Sequence, residues 1–173
     1  MIGKNPLIFA FHATSRGFGY VVFEGPFAPH DWGTVGARGD KNAICLQKIE
    51  KMLDRFMPET LLMEAYGKGS SNRSDRIARL CKAVGSMAAN RGIEVAIYTR
   101  GDVQTCFAQV GAQSRQDIAE AVVRHIDAFK HRLPKVRKPW QEENRRMALF
   151  TAAALVLTHY QLGASKLFDD LML

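Results

Sequence analysis

Two polar residues, His12 and Glu64, each stand where a short apolar run of the sequence ends. Residues 7–11 and 60–63 are runs of the kind that form strands buried on both faces. In open α/β sheets, ligands bind beyond the carboxyl ends of such strands. An imidazole offers one lone pair to a proton or a metal ion, and a carboxylate that closes a buried strand is costly unless it has a partner. The pattern predicts one site that contains both side chains.

Each of these candidates also has a purely structural interpretation. His12 would then be a hydrogen-bonded histidine at a strand end. Glu64 would form a salt bridge with Arg100 or Lys138. Residue type alone leaves both interpretations open.

Basic residues are concentrated in two stretches of a chain whose formal net charge is +7 and whose pI is about 9.5. The stretches comprise Lys68, Arg73, Arg76, Arg79 and Lys82, then Lys130, Arg132, Lys135, Arg137, Lys138, Arg145 and Arg146. A polyanion is the predicted partner, with nucleic acid first and an anionic membrane surface second. Trp140 and Tyr66 are candidates to stack on unpaired bases. The alternative for the arginine-rich helix is an ordinary solvated face.

The elements that must position these groups follow from apolar periodicity. The predicted strands are 7–11, 20–23, 30–37, 60–63 and 94–98. The predicted helices are 42–57, 72–90, 102–107, 116–126 and 139–161. A turn is expected over 13–19. Strands that alternate with helices predict parallel pairing, so the ends at His12 and Glu64 would meet. Residues 1–162 are predicted to form one domain and 163–173 a C-terminal tail.

The three cysteines, Cys45, Cys81 and Cys106, are odd in number and lack CxxC spacing. They are expected to be buried thiols of a reducing compartment. No apolar run reaches the length of a membrane span, and the opening segment MIGKNPLIF is too short for a signal peptide. The sequence therefore predicts a cytoplasmic protein without a membrane partner.

Four segments in order carry a resemblance to a known family: FAFHATSRGFGY, TLLMEAY, TRGDVQTCFAQVGAQSRQDIAEAV and TAAALVLTHY. They resemble the first strand and turn, the second acidic strand, the basic helix-turn segment and the closing helix of RuvC-type Holliday-junction resolvases, in the ribonuclease H-like superfamily. The resemblance covers nearly the whole chain. It implies an α/β fold with a mixed five-stranded sheet flanked by helices. It also implies hydrolysis of phosphodiesters in branched DNA with Mg²⁺ or Mn²⁺, by a homodimer.

At the positions of the family's catalytic carboxylates, only Glu64 is acidic in this chain. The first-strand aspartate is His12, and the aspartate that opens the closing-helix motif is Thr151. An imidazole is a poor bridge between two metal ions because it has one available lone pair and no negative charge. The resemblance leaves a one-metal site formed by His12, Glu64 and Glu143. For Glu142 and Glu143, favourable placement in the first turn of a helix is the structural alternative.

The resulting hypothesis is a metal-dependent, structure-selective DNA endonuclease, in which His12, Glu64 and Glu143 are both metal ligands and catalytic residues. The residues predicted to contact nucleic acid are Arg73, Arg76, Arg100, Arg115, Lys135, Arg137 and Lys138. The rival hypothesis is a nucleic-acid-binding protein that keeps the fold and basic surface but has lost cleavage. By the resemblance, the helix over 72–90 contributes to a two-fold dimer; alternatively, its apolar stripe is buried within the monomer.

Overall fold

A computed structural model of the protein describes residues 6–66 and 74–172. Its five strands are β1 (Ile8–Thr14), β2 (Gly17–Phe23), β3 (Pro29–Gly36), β4 (Thr60–Glu64) and β5 (Glu94–Tyr98). They form one sheet in the order β3-β2-β1-β4-β5. The first three strands pair antiparallel, whereas β4 runs parallel to both β1 and β5. The predicted mixed five-stranded α/β sheet is confirmed.

Five α-helices and a short 3-10 helix cover the sheet. They are α1 (Lys41–Phe56), α2 (Asp75–Asn90), α3 (Arg100–Ala108), α4 (Arg115–His125), the 3-10 helix Asp127–Arg132 and α5 (Met147–Met172). Ser74 caps α2, and its hydroxyl accepts from the Ile77 N–H at 3.3 Å. In the part of the chain described, no helix is long and apolar enough to cross a membrane.

Alternation along β1 divides the core into two layers. Ile8 and Ala10 pack with α3, α4 and α5 on one face, and Phe9 and Phe11 pack with α1 and α2 on the other. Successive side chains of a strand point to opposite faces, so this two-residue period is expected. By the same period, His12 belongs to the face that α5 covers.

The apolar stripe of α2 is buried within the chain's own core. Leu80, Cys81, Val84 and Ala88 are almost fully buried and pack in the layer that α1 shares. The stripe is therefore buried within the monomer, which is the alternative that the sequence left open. Dimer formation through α2 stays a prediction.

The first hairpin is longer than its sequence predicts. Cross-strand pairing continues to Thr14 and Gly17, so the turn contains only Ser15 and Arg16, and the predicted turn over 13–19 was wrong. The small residues that indicated a turn are strand residues here. Gly19 pairs with His12 in β2, and the position must be glycine because the backbone of Ala148 and Leu149 packs against it too closely for a side chain. The shorter turn places Arg16 at the tip of the hairpin.

The limits of the last helix also differ from the prediction. The segment that begins at Pro139 is a turn rather than a helix, because the Gln141 N–H donates to the Lys138 carbonyl at 3.0 Å and the Gln141 side chain accepts from the Lys138 N–H. Helix α5 begins at Met147 and continues to Met172, past the predicted end near Gln161. The division of the chain into a domain and a tail at residue 162 stays a prediction.

We expect Gly19→Ala to destabilise the protein. A Cβ at position 19 would collide with the backbone of Ala148 and Leu149, lying 2.5 Å from the Leu149 nitrogen. Such overpacking lowers the free energy of unfolding by about 1–3 kcal/mol, measurable by urea denaturation. The matched control is Gly85→Ala in α2, where the added Cβ meets only the Met63 methyl at an ordinary 3.6 Å. That change should raise stability by up to about 1 kcal/mol; equal effects of the two variants would contradict the expectation.

Candidate functional site

The pairing of β1 with β4 brings His12 and Glu64 together. Ala10 is opposite Leu62 in this parallel pair, so two residues further on His12 reaches the level of Glu64 on the same face. The His12 Nδ1 lies 3.2 Å from a Glu64 carboxylate oxygen, and both side chains are more than nine-tenths buried. The prediction that these residues lie side by side is confirmed.

Thr151 lies on α5 beside this pair. Its hydroxyl donates to the Met147 carbonyl one turn earlier, at 3.1 Å. The side chain borders two cavities, one shared with His12 and the other with Glu64. Three of the positions at which the resembled family carries acids therefore meet in this chain as an imidazole, a carboxylate and a hydroxyl.

Glu142 and Glu143 are held by arginines. The Arg115 guanidinium donates to both carboxylate oxygens of Glu143, at 2.7 and 2.9 Å, and Arg16 forms an ion pair with Glu142. Within the residues that the structure describes, no three His, Cys, Asp or Glu side chains come together as a metal-binding group. The structure thus joins His12 to Glu64 but not to Glu143. Metal binding by the three residues stays a prediction.

A groove of about 480 Å³ opens beside His12, between the first hairpin and the segment that leads into α5. It continues into a cavity of about 390 Å³, and the two together are called the basic cleft below. Its cations are Arg16, Arg38, Lys41 and Arg145. Lys41 also donates to the Ser15 carbonyl at 2.6 Å, which ties the start of α1 to the hairpin tip.

Sequence reasoning missed all four cations of the basic cleft as site residues. Arg145 belonged to a predicted basic stretch, but neither spacing nor composition distinguished it from its neighbours. Arg16, Arg38 and Lys41 are scattered among turn residues, and only the folding of the hairpin against α5 brings them together. The available signal was the position of Arg16 four residues after His12 in the sequence.

A smaller cavity of about 90 Å³, called the inner cavity below, lies on the other side of Thr151. Glu64 borders it together with Arg100 and Arg115, two of the predicted phosphate ligands. Arg115 is the first residue of α4, where Ser114 and Asp117 form a capping box. The N–H groups of Ser114 and Gln113 hold the pKa of the Asp117 carboxyl below its usual range, so this acid serves as the helix cap.

The other predicted nucleic-acid ligands are dispersed. The Arg76 guanidinium donates to the Asn42 side chain at 2.9 Å and to the Thr14 carbonyl at 3.0 Å, and thereby connects α2 to α1 and β1. This structural role was missed. Arg73 lies outside the described residues. Lys135, Arg137 and Lys138 are exposed on the loop before α5, but the wall of the basic cleft is formed by residues 142–145 of that loop.

The strand order, the helices on both faces and the paired side chains at the carboxyl edge of β1 and β4 define an α/β protein of the RuvC-type, ribonuclease H-like fold. Two structures from Thermus thermophilus are similar. RuvC itself has a TM-score of 0.67 and 19% identity over 92% of this chain and 96% of that one. RuvC in complex with a Holliday junction substrate has a TM-score of 0.65 and 17% identity over 90% and 92%.

The yeast mitochondrial Holliday junction resolvase Ydc2 is also similar. Its TM-score is 0.61, with 14% identity over 100% of this chain and 87% of that one. No protein-family profile matches the chain, and no curated protein matches its sequence. TM-scores of 0.61–0.67 over most of each chain establish a shared fold, and identities of 14–19% show that the sequences have diverged.

The donors present do not fit a centre of two divalent cations. Hard cations such as Mg²⁺ require several oxygen ligands, and a two-metal site clamps both the attacking and the leaving oxygen of the substrate. Here one carboxylate faces one imidazole, Glu143 is bound by Arg115, and the Thr151 hydroxyl donates to its own helix.

We expect the paired substitutions His12→Asp and Thr151→Asp to create a divalent-cation site. Three adjacent carboxylates repel one another without metal, so the variant should melt below the wild type. Mn²⁺ at 100 times its Kd should raise the variant's free energy of unfolding by about 2.7 kcal/mol, which raises its Tm by roughly 5–10 °C for a chain of this size. The measurement is a thermal melt with and without Mn²⁺.

The matched control for this variant is His12→Asn with Thr151→Asn, which changes shape in a similar way without adding charge. It should show no gain in Tm with Mn²⁺. An equal gain in the wild type would show that the natural donors already hold the ion.

Proposed function

We propose that the protein binds branched nucleic acid in the basic cleft and does not hydrolyse it by a two-metal mechanism. The observation that carries the proposal is the composition of the cleft. Four cations line it, whereas the acids needed for a metal pair are replaced by His12 and Thr151 or neutralised by arginine. Phosphates need a cationic track of this kind.

The resemblance to resolvases supports a branched substrate. One structural neighbour is RuvC bound to a Holliday junction substrate, and another is itself a Holliday junction resolvase. A homodimer is part of the proposal, since two symmetric clefts match the symmetry of a four-way junction. Light scattering with and without junction DNA measures that oligomeric state.

A metal-dependent endonuclease is the second candidate function. Glu64 favours the endonuclease, because it is an acid at the carboxyl end of β4. It contacts His12, which lies at the inner end of the cleft. A gel assay on a four-way junction with Mg²⁺ and with Mn²⁺ distinguishes the candidates. Cleavage that Glu64→Gln abolishes would favour the endonuclease. Binding without cleavage in either ion, unchanged or strengthened by Glu64→Gln, is the result expected from the proposal.

Binding of a four-way junction should weaken steeply as salt rises. Four phosphate contacts, with Arg16 exchanging Glu142 for a phosphate, predict a loss of roughly 100-fold in affinity between about 50 and 200 mM salt. Arg145→Gln should lower affinity by about tenfold near 0.1 M salt and reduce the salt slope by about one contact. Fluorescence anisotropy provides both values.

The control for Arg145→Gln is Arg91→Gln. Arg91 pairs with Glu50 and Asp54, at the end of α2 that lies away from the cleft. This variant should bind like the wild type. Salt-independent binding, or equal losses in the two variants, would refute the assignment of the cleft.

Glu143→Gln should strengthen nucleic-acid binding. The Glu143 carboxylate accepts two short hydrogen bonds from Arg115 and neutralises its charge. Removing the negative charge therefore makes Arg115 available to a phosphate. The expected gain is about fivefold to tenfold near 0.1 M salt, measured by the same anisotropy titration. Glu50→Gln makes the identical charge change at the Arg91 pair and should leave affinity unchanged. A weaker complex with Glu143→Gln would instead assign that carboxylate a direct role in the site.

A further inference from the structure

The inner cavity has apolar walls and a polar mouth. Its walls are formed by Val103, Ile118, Ala119, Met147, Phe150, Ala154 and Leu155. Exposed Gln104, Gln113 and Ser114 stand at the mouth beside Arg100 and Arg115. Apolar walls with a few convergent polar groups are the usual composition of a small-molecule site.

The position of the cavity connects it to the basic cleft. Glu64 borders the cavity, His12 borders the cleft, and these two side chains are 3.2 Å apart. Thr151 borders both spaces. These side chains separate the two spaces, so a strand whose phosphates lie in the cleft passes within one residue's width of the cavity.

The size of the cavity restricts its occupant. Its volume of about 90 Å³ is well below the roughly 300–1,000 Å³ of pockets for drug-sized ligands. It nevertheless exceeds the space of about 10–15 Å³ that one water molecule needs. A ligand with a single ring system fits these limits.

We propose that the inner cavity takes a single unpaired nucleobase from the strand held in the basic cleft. The inference rests on the proposed function. Extruding a base costs least free energy where its pair is weak or absent, and we expect the pairs beside a branch point, where base stacking is interrupted, to open most readily. The apolar walls would pack on the faces of the base. The Gln104 and Gln113 amides, which both donate and accept, would meet its hydrogen-bonding edge.

The test is a double-mutant cycle between cavity and DNA. One partner is a four-way junction with either an intact or an abasic nucleotide at the branch point; the abasic form keeps every phosphate and lacks one base. The other partner is wild-type protein or Ala154→Met, which fills the cavity from α5. Stacking and burial of one base change affinity by roughly fivefold to 150-fold.

We expect wild-type protein to lose at least fivefold on the abasic junction. Ala154→Met should bind the intact junction that much more weakly and show no further loss on the abasic one. Ala89→Met, an exposed change on α2, is the matched control and should bind like the wild type. Thermal melts of both variants confirm that they fold.

Gln104→Ala and Gln113→Ala keep the test decisive if Ala154→Met fails to fold, because both residues are exposed. Each should lower affinity for the intact junction but not for the abasic one. Equal losses of affinity on both junctions, or equal wild-type affinity for the intact and the abasic junction, would overturn the base site. Either result would still agree with binding in the cleft. Absence of any junction binding by the wild type would instead overturn the proposed function, and the base site with it.

Discussion

The backbone of α5 lies directly on Gly19, and the position of the whole site depends on this contact. Gly19 is the cross-strand partner of His12, so the first turn of α5 comes down beside that histidine. A side chain at position 19 would push the helix away. With the helix in place, Thr151 separates the basic cleft from the inner cavity, and the preceding loop brings Glu142 and Glu143 to the two arginines.

The site has the geometry of a RuvC-type fold, but its donors do not suit a two-metal centre. Parallel β1 and β4 place two side chains at one edge of the sheet, as a RuvC-type fold requires, but those side chains are an imidazole and a carboxylate. An arrangement that suits two hard cations needs several acids. The cations that surround the pair suit phosphate groups equally well with or without metal. In the proposed function, the same cleft holds a nucleic-acid backbone without two-metal catalysis.

Local pattern predicted most of the fold. Strand β5 has the predicted limits, and His12 and Glu64 meet as expected, because strand periodicity and parallel pairing are visible in sequence. The errors occur where tertiary contacts determine the local conformation or bring distant residues together. Pro139 resembled a helix start, but hydrogen bonds of the Gln141 amide and backbone form a turn there. Arg16 and Arg145 are 129 positions apart in the chain, so no local pattern could indicate that they share a cleft.

The pairs Arg16–Glu142 and Arg115–Glu143 place tethered carboxylates beside the cations that a phosphate would occupy. A tethered competitor acts at a high effective concentration, set by its short loop rather than by the solution. Whenever a phosphate lifts away from one arginine, the adjacent carboxylate can return before the phosphate does. Such stepwise exchange shortens the residence time of a bound polyanion. In the proposed function, these pairs favour quick release of the nucleic acid and binding at another site.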